Sequence, residues 1–121
     1  MIGIGNDLVD IDRFRRSLER TPRLRERLFT EAERRYADAR ADPTERYAVR
    51  FAAKEAVMKA LGVGLGEIAL RDIEVQRAES GAPQIVLHGT AAALAASRGV
   101  QRWLVTLSHS ETIAQAIVVA L

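Results

Sequence analysis

The stretch Arg50–Gly62, RFAAKEAVMKALG, decides how this chain is read. Its alanines, straight-chain residues and terminal glycine predict a helix that stops cleanly. At about 100° per residue, Tyr47, Phe51 and Met58 fall within roughly 40° of one another. The far side carries Val49, Ala52, Ala53, Ala56 and Ala60, all small enough to let another element pack closely. A helix apolar on both sides is a buried helix. Yet Arg50 and Lys54 lie in or beside the apolar arc, and Glu55 sits on its shoulder next to Phe51. Charge buried in such company is costly unless it is paired, metal-bound or facing a ligand. Two readings follow: an internal salt bridge, such as Glu55 with Lys59 at i, i+4, or a ligand or metal site.

Upstream of the helix, residues 2–11 open Ile-Gly-Ile-Gly and read as a strand whose end delivers Asp7. Glycines weaken a strand and mark close approach by a ligand or another backbone. A cap or turn role is the plainer reading of Asp7, although Asp12 suits the next N-cap better. Residues 13–20 and 24–28 read as short helices separated by Thr21-Pro22. T-E-A-E at 30–33 is a capping box, with Glu33 at N3 and Phe29 as the preceding staple, and its helix should run to Ala39. The central helix then starts at Asp42 or Thr44.

Downstream, Gly62, Gly64 and Gly66 make a loop that either only turns the chain or lets backbone N–H groups approach an anion. Residues 72–78 and 84–88 form a hairpin, and Thr90 caps an alanine-rich helix ending at Arg98-Gly99. Residues 103–108 and 113–121 are strands linked through Ser108-His109-Ser110-Glu111, and the apolar run of the second predicts a central, covered position. This order predicts an α+β class and one domain over residues 1–121, a mostly antiparallel sheet packed on a long buried helix.

Composition narrows the chemistry. The 121 residues suffice for a real core, and 48% hydrophobic with 28% charged content is that of a folded globular protein. No apolar run reaches the length of a membrane span, and the opening residues lack the pattern of a signal peptide, so no membrane partner is expected. Zero cysteines exclude disulfides, thiolate zinc sites and cysteine nucleophiles, which fits a cytoplasmic setting. Sixteen of the eighteen basic residues are arginine, suited to planar contact with carboxylates or phosphates. Nine arginines against four glutamates lie between Arg13 and Tyr36. That cluster is either a solvated face or a dock for an acidic protein or nucleic acid.

Asp7 and Glu55 are candidates to share one hard cation, since magnesium takes oxygen ligands and keeps waters or phosphates in its remaining positions. Arg50, Lys54 and Lys59 could neutralise those phosphates. The combination points to phosphoryl-type transfer, in which positioning and charge stabilisation dominate. His109 follows a strand, where a side chain can face a cleft, but a lone histidine is more often structural. Ser108 and His109 point to opposite faces of a strand and make a poor nucleophile–base pair.

Three blocks together resemble the holo-[acyl-carrier-protein] synthase family of 4′-phosphopantetheinyl transferases. They are G-I-G-N-D-L with Arg13 six residues after Asp7, R-F-A-A-K-E-A-V-M-K-A-L-G, and W-L-V-T-L-S-H-S before the terminal strand; the G-A-P turn at 81–83 agrees. Asn6 departs from the pattern, being polar where the family has an apolar residue. The resemblance implies transfer of 4′-phosphopantetheine from coenzyme A to a serine of an acidic apo acyl carrier protein, releasing adenosine 3′,5′-bisphosphate. It implies magnesium on Asp7 and Glu55, and Lys59 near the transferred phosphate. Arg50, Lys54, Gly62, Gly64, Ser108 and His109 would line the coenzyme site, and Arg13 and Arg20 would contact the carrier. It also implies a homotrimer with sites between subunits. The base that takes the serine proton stays open among a water on the metal, Glu55 and His109. Two other classes compete: a basic nucleic-acid-binding module, for which the chain has no motif and only 5% aromatic residues, and a magnesium-dependent nucleotide phosphohydrolase. Neither displaces the transferase, and no nucleic-acid partner is expected.

Overall fold

The structure, a computed structural model, describes residues 1–121. In chain order it contains β1 (Gly3–Asp10), α1 (Ile11–Arg20), α2 (Leu24–Leu28), α3 (Glu31–Asp38) and α4 (Thr44–Leu61). There follow β2 (Ile73–Arg77), β3 (Pro83–Leu87), α5 (Gly89–Ser97), β4 (Trp103–His109) and β5 (Ile113–Ala120). Both sheets are antiparallel. One has the order β1-β5-β4, with the apolar β5 at its centre as expected, and the hairpin β2-β3 forms the other.

Helix α4 is buried along most of its length, and the small residues on its far side are the reason it can be. Ala52, Ala53 and Ala56 are wholly buried. Strand β1 lies so close to them that a Cβ on Gly5 would stand 2.7 Å from the carbonyl carbon of Ala56, and one on Gly3 would stand 2.9 Å from that of Ala60. The early glycines therefore mark the approach of another backbone, not of a ligand. Aromatic side chains fill the other side: Phe14 stacks on Phe51 with ring centroids 4.9 Å apart, and Phe29 packs on Tyr47 at 4.8 Å. Gly62 ends the helix in the left-handed region at φ 69°, with its N–H donating to the Lys59 carbonyl and that of Val63 to Met58. This is the glycine-terminated stop the sequence predicts.

The capping box holds, with Thr30 accepting from the Glu33 N–H and Glu33 accepting from the Thr30 N–H. Three local expectations are corrected. Asp7 is mid-strand, opposite Ala116 of β5, because β1 continues to Asp10. Asp10, not Asp12, caps α1 by accepting from the Arg13 N–H, since the strand runs on for those extra residues. Helix α5 is preceded by His88, and Thr90 lies inside it, because Gly89 at φ 51° already turns the chain. No helix is long and apolar enough to cross a membrane.

Candidate active site

Alternation along β1 points Gly3, Gly5, Asp7 and Val9 at α4, while Ile4, Asn6 and Leu8 face the other way. Because Gly5 lets the strand close onto the helix, Asp7 arrives beside the last turns of α4. Its carboxylate is 17% exposed and lies 3.0 Å from the Lys59 ammonium, which also donates to the Asn6 carbonyl at 3.0 Å. The salt bridge of this helix end is thus Lys59 with Asp7, not with Glu55. Glu55 lines the same cleft of about 540 Å³ as Asp7, together with Arg13, Phe14, Phe51 and Leu65. Burial raises its pKa, the Asp7 charge raises it further, and Lys59 opposes both. Two carboxylates close enough to feel each other, one without a hydrogen-bond partner, form a donor set that fits a hard divalent ion keeping waters in its other positions. Asp10 also lines this cleft, but its carboxylate caps α1, and no third His, Asp or Glu is placed to form a metal-holding cluster with the pair.

Lys54 is corrected. Its side chain is 0% exposed, and its ammonium is held by Glu33 at 2.7 Å, by the Leu70 carbonyl at 3.2 Å and by the Ile73 carbonyl. An ammonium has three donors, and all three are engaged inside the protein. Lys54 therefore pins α4 to α3 and β2 and offers nothing to a coenzyme. Burial lowers its pKa against the pull of Glu33. The second Glu33 oxygen accepts from the Val75 N–H at 2.9 Å. The capping box announced Glu33 as a helix-start residue and hid this second role.

Arg50 and His109 lie away from that cleft, in an open cavity of about 370 Å³ lined also by Tyr36, Arg40, Arg46 and Arg77. Within one chain they are on the β4 side of the sheet, whereas Asp7 is on the opposite edge strand. Three guanidiniums, from Arg46, Arg50 and Arg77, surround the Tyr36 ring at 3.9, 4.2 and 5.0 Å. Burial lowers the Arg50 pKa, and its Nε is enclosed without a partner. His109 Nε2 stands 3.3 Å from Glu45. Sequence reading missed Tyr36, Arg46 and Arg77. Only the i, i+4 spacing of Arg46 and Arg50 could have signalled part of the cluster.

Ser108 faces away from α4, opposite in sense to His109, as strand alternation requires. It lies in a shallow depression with His109, Ser110 and Gln115. Gly62 is corrected as an anion-binding amide, since the helix stop uses its N–H. The Gly64 N–H is held by an exposed side chain, Glu67, at 3.3 Å. Arg13 lines the Asp7–Glu55 cleft, while Arg20 is exposed at the last turn of α1 and lies outside it. Ile11, Phe14 and Leu18 anchor that helix and turn its arginines outward.

A family model described as the 4′-phosphopantetheinyl transferase superfamily matches residues 3–118. The chain belongs to that superfamily. The holo-[acyl-carrier-protein] synthase of Streptomyces avermitilis is 50% identical over 120 residues, covering 99% of this chain and 97% of that protein. The holo-[acyl-carrier-protein] synthase structure from Neisseria meningitidis superposes with a TM-score of 0.91 at 31% identity, over 100% of this chain and 99% of that one. The Helicobacter pylori enzyme in complex with coenzyme A gives 0.86 at 31% identity, over 98% and 99%. Within the superfamily, the chain falls in the holo-[acyl-carrier-protein] synthase family.

Proposed function

We propose that this single domain transfers 4′-phosphopantetheine from coenzyme A to a serine of an acidic apo acyl carrier protein, releasing adenosine 3′,5′-bisphosphate. The observation that carries the reading is the Asp7–Glu55 pair, held in one cleft with Lys59 bonded to Asp7 and Arg13 on the rim. Asp7 and Glu55 would hold magnesium, which would supply charge neutralisation on the diphosphate. Lys59 offsets charge on the phosphates, and its half-exposed stem gives it the reach. Arg13 and Arg20, projecting from α1, dock the acidic carrier and steer its approach.

Arg50 and His109 contribute to the coenzyme site from a second copy of the chain. Two features support a homotrimer with shared sites. The acidic cleft and the arginine cavity are separated within one chain. The sheet face turned away from α4 also exposes Ile4, Leu8, Leu104 and Ile117, an apolar area that a monomer has no use for. The absence of cysteine in the sequence accords with a cytoplasmic enzyme. Mass spectrometry of an apo carrier protein incubated with the chain, coenzyme A and magnesium tests the reading: a gain of one phosphopantetheine is expected, and an unchanged carrier overturns it.

A further inference from the structure

The Lys59–Asp7 pair does more than tie a helix to a strand. Asp7 is fixed: it is paired into the sheet opposite Ala116, and β1 is pressed against α4 at Gly5. Lys59 is not fixed. Its side chain is 54% exposed, its two acceptors are Asp7 and one backbone carbonyl, and one of its three donors is free. It is the one cation bonded to either carboxylate, for Glu55 has no partner. A dication at Asp7 and an ammonium 3.0 Å from Oδ1 of the same carboxylate repel each other strongly. Both can stay only if further negative charge enters the cleft.

We propose that Lys59 is the resident counter-ion of the Asp7–Glu55 site, a placeholder that a divalent ion displaces from Asp7 once a diphosphate is present to receive the ammonium. The inference rests on the reading of Asp7 and Glu55 as metal ligands. It makes metal and coenzyme binding mutually dependent: each raises the affinity of the other, by the same factor in both directions. Lys59 thereby keeps the site from loading metal before the substrate arrives. Lys54, five residues earlier, cannot do this, because its three donors are enclosed.

The test is a titration of MnCl2 into the full chain, followed by the electron paramagnetic resonance of free Mn2+, with and without coenzyme A. The wild type should bind Mn2+ weakly alone and much more tightly with coenzyme A. Lys59→Met should bind Mn2+ alone about tenfold more tightly than the wild type, by removal of one neighbouring charge. It should lose most of the gain that coenzyme A confers. Lys59→Arg, which keeps the cation, should stay near the wild type. A Lys59→Met protein with native circular dichroism that binds Mn2+ alone no more tightly than the wild type overturns the placeholder. If wild type and Glu55→Gln take up Mn2+ alike even with coenzyme A, the metal reading itself fails, and that result is distinct from the first.

Discussion

Lys54 and Lys59 sit five residues apart on one helix, within one sequence block, and meet opposite fates. Around Lys54, α3, β2 and the turn that leads into β2 bring a carboxylate and two carbonyls, and the ammonium is sealed in. Around Lys59, β1 brings a single carboxylate at the mouth of a cleft, and the ammonium stays half in solvent. The difference lies in what the neighbouring elements deliver. A charge whose every donor is satisfied by the fold is a strut; a charge with a donor to spare at a cleft is a reagent.

The strongest way to break this comparison is Lys54→Met. It strands Glu33 as a buried, uncompensated charge, and urea unfolding should show a loss of about 3–5 kcal/mol. Adding Glu33→Gln should recover part of that loss; a single variant as stable as the wild type would show that Lys54 is no strut. Glu55→Gln should lower carrier modification by about a hundredfold or more, a typical consequence of removing one charge-stabilising group. Its fold should be kept. Because the folded protein raises the Glu55 pKa, this carboxylate lowers stability once pH exceeds its folded value, and that penalty is absent below the ordinary carboxylate range. Glu55→Gln should therefore melt no lower than the wild type at pH 7.

Gly5→Ala sharpens the contrast from the strand side. The new Cβ meets the Ala56 carbonyl, so β1 must shift away from α4 at a cost of about 1–3 kcal/mol. Activity should fall further than stability alone explains, because Asp7 moves with the strand. Arg13→Glu should raise the KM for the carrier about tenfold, as expected for reversing one charge at a docking rim, while the KM for coenzyme A changes little; equal loss of both would make Arg13 structural. The smallest effect concerns Glu74. Burial would raise its pKa, but hydrogen bonds from His88, Gln76 and Thr30 outweigh that and hold it low. Its contribution is present above the ordinary carboxylate pKa and fades as pH falls through the folded value. Glu74→Gln should flatten the acid limb of a stability–pH curve, by no more than about 1 kcal/mol.

Much of this was legible in the sequence because it is local. The α4 stop at Gly62, the capping box at Thr30 and the central, apolar β5 all depend on residues within a turn or on one strand. The family blocks also carried Asp7 and Glu55 into one pocket. What stayed hidden depends on partners distant along the chain. Lys54 finds Glu33 across 21 positions, and nothing in the helix pattern says which of two lysines will be enclosed. The Gly-Ile-Gly opening could announce a close approach but not its object, which is the backbone of α4. The Tyr36 cage of arginines is assembled from α3, α4 and β2, so no single window contains it.

The sealing of Lys54 has a practical corollary. The chain holds only two lysines, and one of them is out of reach of solvent, so amine-reactive reagents find a single side-chain target in the folded protein. A label placed there reports from beside Asp7, and its protection by coenzyme A would give a direct footprint of occupancy.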